Sequence, residues 1–248
     1  MIARSSLRDP VASLPPDDPR VSRRLCGVAE AAGWLTVPRS TFHAWVHGYE
    51  QRPPGGRVVS GRPIVLSLAA VRGRPAVPFL GLVEGLVLNA FRRAGVPLQR
   101  IRPALDRLDR ELGLRNALAS DRLATDGAEV LYDYGAVLDP GGIAELVTVR
   151  SGQRVFAPVV QDYLGRIRYA RDHWAEQVEL PGYALARVVV NLGVAHGRPV
   201  LEPAHIPVED ILHRWIAGDS LAELADDFRM PGPEVEDVIR AATRRCAG

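Results

Sequence analysis

His43 and His47 stand four residues apart, the spacing at which one helix face offers two imidazoles to a metal ion. Asp133, Asp162 and Asp172 supply carboxylates of the kind that hold divalent metal in a nuclease. Neither set completes a site. The histidines have no third ligand near them in sequence, and the three aspartates fall in no motif, so solvated charge accounts for them. Gly55 and Gly56 are not followed by a Lys-Ser or Lys-Thr pair, and no GxGxxG spacing exists, so a phosphate-cradling nucleotide loop is excluded. The expectation is a protein that is not an enzyme and uses no metal or other cofactor.

The arginines offer a different chemistry. All 31 cationic residues are Arg and none is Lys, and the planar guanidinium fork makes bidentate contacts to phosphate and carboxylate that an ammonium cannot. Their placement is uneven. Residues 1–120 hold 18 Arg against 9 Asp plus Glu, a net of +9. Residues 121–196 hold 7 against 10, and residues 197–248 hold 6 against 10, so the whole-chain +2 conceals a cationic front and an anionic back. A concentrated excess of cation suits release of phosphate counterions, and binding to such a polyanion weakens steeply with salt.

Two short helices joined by a tight turn lie within this cationic front. Ala29, Ala31 and Ala32 suit a first helix, Gly33 is expected to end it, and Leu35, Val37 and Pro38 supply the turn. Ser40 or Thr41 is expected to cap the second helix. Arg39, Ser40, Thr41 and His43 then face a DNA groove while Phe42 and Trp45 face inward. Gln51 to Arg57, followed by an apolar run from Ile64 to Leu68, fits a loop or hairpin wing, where Arg52, Arg57 and Arg62 are placed to grip phosphate.

The centre opens with a periodic helix carrying Leu80, Val83, Val87, Ala90, Phe91 and Ala94, stopped by Gly95. Pro97 begins a second helix with a stripe of Ile101, Leu105, Leu108 and Leu112. Such a pair suits either core or a dimer contact, and a homodimer follows from the way helix-turn-helix proteins pair across two half-sites. Beyond it, Glu129 to Tyr134 reads as strand and Gln153 to Leu164 as helix. Arg166 to Tyr169 and Leu185 to Leu192 read as strands of a small mixed sheet.

Three short helices close the chain. Pro207 starts one carrying Val208, Ile211, Leu212 and Trp215, closed by Gly218. Ser220 and Glu223 form a capping box for one carrying Leu221, Leu224, Ala225 and Phe228. Pro233 starts the last, with Val235, Val238, Ile239 and Ala242 on its inner face. The acidic surface of Glu209, Asp210, Asp226 and Asp227 repels phosphate, so a protein partner is expected there.

The fold class is therefore mainly α with small β elements: a flexible tail over 1–20, a winged helix-turn-helix over 21–76, a helical and mixed α/β dimerisation region over 77–190, and a trihelical domain over 191–248. Cys26 and Cys246 are the only cysteines, which excludes a disulfide framework and fits a reducing cytoplasm. No apolar run approaches the roughly 18 residues that a membrane helix needs, so no membrane association is expected.

Particular segments resemble a known family. Gly197-Arg198-Pro199-Val200, Ile206 to Leu212, Ala217 to Ser220 and Leu224 resemble the small trihelical domain of many bacterial antitoxins. Val28 to Ala32 with Val37 to Thr41 looks like a MerR-type helix-turn-helix. Phe79 to Glu84, Phe91-Arg92 and Ile101-Arg102 look like the linker of the same long antitoxins. The combination is similar to the mycobacterial VapB-like antitoxins, whose operon partner is a PIN-domain ribonuclease toxin. That resemblance implies a chain that neutralises the toxin and binds operator DNA to repress its own operon, in a homodimer or larger toxin-antitoxin hetero-oligomer. The alternative is a stand-alone MerR-like transcriptional regulator with a protein-interaction C-terminal domain. Arg198, Ile206, Pro207 and Asp210 are the matched positions, and of these the resemblance implies Arg198, Ile206 and Asp210 as toxin contacts, with Ile206 and Pro207 also able simply to set the helix entry. Glu202-Pro203-Ala204-His205 stands where the family commonly has Arg-Gly-Thr-Arg, losing two cations. Because such a nuclease depends on clustered carboxylates, Arg240, Arg244 and Arg245 are further candidates to engage it.

Overall fold

The computed structural model describes residues 13–51, 59–112, 115–128, 131, 146–150 and 153–246. About half of the described residues are helical, with small sheets between the helical segments. Helix α1 (Pro19–Ser22), α2 (Val28–Trp34) and α3 (Arg39–His47) lead into strands β1 (Tyr49–Gln51) and β2 (Val59–Gly61), then α4 (Phe79–Arg93) and α5 (Leu98–Leu112). Part of the expected tail is built into the body. Asp18 accepts from the Arg20 backbone at the start of α1, and Arg20 bridges to Asp172 at 2.5 Å, 152 residues on.

Helix α4 is the axis of the molecule. Its sequence shows one apolar face, yet every residue from Phe79 to Phe91 is buried. The reason is that neighbours cover it all round: α1, a short 3₁₀ turn at Ala117–Ala119, and elements from later in the chain pack against it. A helix buried on all sides has no face left for a second protomer, so α4 is core and not half of a dimer contact. On α5, Ile101 and Leu108 are core too, at 1% and 0% exposure, and Leu105 is half-buried against the core.

The strand expected over 129–134 lies outside the described residues except for Leu131, which is helical. Gln153 to Leu164 is not one helix. Gln153–Phe156 forms β4, paired antiparallel with β3 (Val147–Arg150), and only Pro158–Leu164 forms helix α6. Val155 and Phe156 share helical spacing with Val159 and Val160, but Pro158 divides the run. Proline fixes its own φ and disfavours helix in the residue before it, so it sits at the first helical position.

Strands β5 (Ile167–Tyr169), β6 (Ala175–Glu179), β7 (Val188–Asn191), β8 (Val200–Leu201) and β9 (Ile206–Pro207) form one sheet in that order, every pairing antiparallel. This corrects the expectation of a mixed sheet. The sheet also runs across position 190, since β7 pairs with β8 from the segment expected to be trihelical. The three closing helices are present as α7 (Val208–Ala217), α8 (Leu221–Asp227) and α9 (Gly232–Cys246). Gly218 caps α7 in the left-handed region at φ 109°, and the Ser220/Glu223 capping box forms as expected.

One carboxylate fastens these helices to the sheet. Asp237 on α9 accepts the backbone N–H groups of Ala184 (2.7 Å), Leu185 (2.7 Å) and Ala186 (3.0 Å) in the β6–β7 connection. Truncating this buried carboxylate strands the Ala186 N–H in a buried place and loosens the exposed Ala184–Leu185 turn. The expected cost of Asp237→Ala is about 2–3 kcal/mol, read as a lower midpoint in urea unfolding, with α9 amides losing hydrogen-exchange protection first.

Candidate nucleic-acid interface

The helix-turn-helix is built differently from its sequence outline in two places. Gly33 lies inside α2, and the turn is made instead by Thr36, which adopts φ 54°. A β-branched residue is unfavourable at positive φ, which is why the glycine was the more obvious choice. Helix α3 begins at Arg39 after Pro38, and neither Ser40 nor Thr41 caps it by a side-chain hydrogen bond.

Two residues of α4 hold this turn. The Asn89 amide donates to the Leu35 carbonyl at 2.9 Å, satisfying an acceptor that the end of α2 leaves open. Gly85 lets α4 approach closely, because a Cβ there would lie 2.6 Å from Phe42 Cε2 and 2.8 Å from Leu35 Cδ1. Phe42, Trp45 and Val46 fill the inward side of α3, with Phe42 and Trp45 edge to face at 5.9 Å.

Outward, α3 presents Arg39, Ser40, His43 and His47, all exposed and all within one arc of the helix. Thr41 is half-buried on the flank, so it does not join the stripe that the sequence suggested. His47 does, and sequence reasoning weighed it only as a metal ligand. Its ring centroid is 4.5 Å from that of His43, and partial burial together with the neighbouring imidazole lowers its pKa. Spacing of four residues from His43 was the signal, and it places both rings toward solvent beside Arg39.

Strands β1 and β2 form the expected wing, pairing Tyr49 with Gly61 and Glu50 with Ser60. Arg52 and Arg57 lie outside the described residues. Arg62 follows the wing but is ion-paired to Asp106 of α5 at 2.5 Å, and its carbonyl accepts from Arg102, whose guanidinium lies over the Tyr49 ring. Its charge is thus partly neutralised at home. The acids weighed for catalysis have structural partners as well: Asp162 pairs with Arg166 and Asp172 with Arg20, while Asp133 is outside the described residues. Among the described residues no group of three His, Cys, Asp or Glu side chains is arranged to hold a metal.

A strap over 62–66 connects the wing to the core. The N–H groups of Ile64 and Val65 donate to the Trp45 carbonyl at the end of α3, and the Leu66 N–H donates to the buried Glu84 carboxylate at 2.6 Å. Asn116 donates to the other oxygen at 2.7 Å. Burial pushes the Glu84 pKa up to about 7, the two hydrogen bonds oppose this, and Asp109 adds to it. The ordinary value is 4.5, so between these limits the unfolded chain gives up a proton that the folded chain keeps. Stability therefore falls as pH rises from about 4.5 to about 7 and is level above, by about 3 kcal/mol if the whole shift is expressed. Glu84→Gln is expected to remove that slope in urea unfolding followed from pH 4.5 to 8.

The residues proposed for a protein partner are dispersed. Arg198 pairs with Glu209 at 3.0 Å, Ile206 is half-buried in β9, and Asp210 is exposed on the first turn of α7. Arg240 pairs with Glu236 one turn back. Arg244 lines a cleft of about 420 Å³ with Arg39, Thr36, Pro38 and Gly182, so the cationic end of α9 lies beside the start of α3. The Arg245 side chain is outside the described residues.

Comparison with known proteins fits this geometry. Residues 24–105 match a family described as a "Putative DNA-binding HTH domain", a span from the strand-like entry at Cys26 through α4 into α5. Residues 188–242 match a "Protein of unknown function (DUF433)", a span holding β7 to β9 with the three closing helices. The chain is 41% identical over 220 residues to "Putative antitoxin VapB45" of Mycobacterium tuberculosis (strain ATCC 25618 / H37Rv), covering 86% of this chain and 92% of the relative. The chain belongs to the VapB-like antitoxins. The antitoxin also superposes on the crystal structure of Rv2018 from Mycobacterium tuberculosis with a TM-score of 0.76 at 37% identity, covering 89% of this chain and 99% of that one. It is an antitoxin carrying a DNA-binding helix-turn-helix, and among its described residues no helix is long and apolar enough to cross a membrane.

Proposed function

We propose that this antitoxin neutralises a PIN-domain ribonuclease through its C-terminal segment and represses its own operon by sequence-specific binding of α3 to operator DNA. The observation that carries the DNA part is the exposed stripe of Arg39, Ser40, His43 and His47 on a helix whose opposite side is locked into the core. Arg39, Ser40 and His43 are the proposed base or phosphate contacts, with Arg52 and Arg57 of the wing segment gripping phosphate. Arg62 contributes less than its position suggests because Asp106 holds it.

The toxin part is supported by the family and by charge, since residues 197–248 carry a net of −4 and suit a partner whose own substrate is a polyanion. Arg198, Ile206, Asp210, Arg240, Arg244 and Arg245 remain the proposed toxin contacts, with Arg244 also near the DNA-reading helix. Two chains present their reading helices to two half-sites in the proposed repressor. The scheme requires a PIN-type reading frame adjoining the gene, and co-expression with it is the test: the ribonuclease is expected to co-purify with the full chain and to lose its activity on RNA. Failure of any such complex to form would favour the stand-alone regulator.

A further inference from the structure

Helix α7 departs from its sequence pattern at one end. Trp215 belongs to the stripe that buries Val208 and Ile211, but the helix stops two residues later and leaves Trp215 overhanging the core at 40% exposure. Ile216 beside it is 80% exposed. By helical geometry Glu209, Leu212 and Ile216 fall along one line, three and then four residues apart, and Leu212 is half-buried. The Arg198–Glu209 ion pair therefore stands at the head of an apolar strip made by Leu212, Trp215 and Ile216. Large exposed apolar side chains grouped on one element mark an interaction surface, and tryptophan is among the residues that most often anchor one.

The charge around the strip selects the occupant. Arg214, the cation nearest in sequence, is neutralised by Asp219 at 2.5 Å and Asp227 at 2.6 Å and lies over the Phe228 ring. Asp226 of α8 is exposed, and the surrounding segment is net acidic. A second copy docked face to face would bring like charge to like charge.

We infer that the Leu212–Trp215–Ile216 strip is the apolar anchor for the toxin polypeptide, received in an apolar socket bordered by the cationic groove with which a ribonuclease holds RNA. This rests on the toxin-binding reading above and adds to it the surface that carries the affinity. The strip includes none of the six contact residues proposed there, although Arg198 adjoins it through Glu209.

The test uses the full chain and the purified ribonuclease encoded beside it, with affinity measured by calorimetry. Ile216→Asp is expected to weaken binding by about 100-fold, Trp215→Ala by a similar factor, and Ile216→Leu to restore near-native affinity. Operator affinity, thermal midpoint and oligomeric state stay unchanged in Ile216→Asp. Because Ile216 is exposed, that variant decides the matter even if Trp215→Ala unfolds. Ile216→Asp binding the ribonuclease within about twofold of the native chain would overturn the inference. So would a change of oligomeric state with ribonuclease binding intact, which would make the strip a self-contact. A native chain that fails to bind the ribonuclease removes the toxin reading itself, a result distinct from either of these.

Discussion

Replacing Arg39, Ser40 and His43 together by alanine is expected to lower affinity for the DNA upstream of the gene by at least about 100-fold, with the thermal midpoint within about two degrees of native. Each base or phosphate contact of this type contributes about 1–3 kcal/mol, so three losses on one helix bring specific binding down to the non-specific level. The fold is spared because all three side chains are exposed, while Phe42, Trp45 and Val46 hold α3 from behind. Single variants separate the roles. Arg39→Ala weakening binding to every sequence, with a shallower salt dependence, marks a phosphate contact; relaxed preference at one base pair marks a guanine edge. His47→Ala belongs in the same series because its ring stands beside His43. Anisotropy titrations with the upstream duplex and an unrelated duplex of equal length provide the readout.

Trp45→Ala is expected to cost about 3–5 kcal/mol and to unfold more than the reading unit. Trp45 is 1% exposed, packs edge to face on Phe42, and through its carbonyl receives the strap N–H groups of Ile64 and Val65. Phe42 in turn lies against α4 at Gly85, and α4 is the helix on which the rest of the core is assembled. A void at Trp45 is thus felt along α4, and the side chains around it cannot collapse without moving a helix that is buried on all sides. Thermal unfolding monitored by circular dichroism is expected to show one transition at a lower temperature. Two separated transitions, with only the earlier one shifted, would show that the helix-turn-helix unfolds alone.

The reading helix was legible because an exposed surface helix keeps the alternation of inward Phe42 and Trp45 with outward Arg39 and His43 that its neighbours require. The turn before it was not, since Thr36 takes a conformation that its side chain disfavours and only its surroundings enforce. For α4 the periodicity was real, but Gly81, Gly85 and Asn89 on its less apolar side read as a solvent face. In the fold, glycine admits the strap and the turn at close range, and Asn89 is buried because the Leu35 carbonyl meets it. Small and satisfied polar residues carry little hydropathy signal, so a helix buried this way looks amphipathic.

The sheet was half legible for a simpler reason. Strands β5 and β7 have β-branched or alternating residues, whereas β8 and β9 are two residues each, too short for a pattern, and are defined only by pairing with their neighbours. At the candidate site, types and spacing identified the outward stripe of α3 but not which nearby charges remain available. Arg62 looks free in sequence and is tied to Asp106, and Arg244 looks remote and lies in the cleft with Arg39. Trp215 shares the period of the buried Val208 and Ile211, and only the position of the helix end shows that it overhangs. Each of these depends on a partner more than 40 residues away or on where an element stops, neither of which local sequence specifies.

The most direct measurement is a titration of the duplex immediately upstream of the gene with the full chain, followed by fluorescence anisotropy across a range of salt concentrations in the presence of competitor DNA. Saturable binding that survives competitor, with log affinity falling steeply and linearly against log salt, is the expected result for a reading helix set in a cationic front half and bound to a polyanion. Equal affinity for the upstream and unrelated duplexes, or no binding at low salt with or without the ribonuclease, would contradict it.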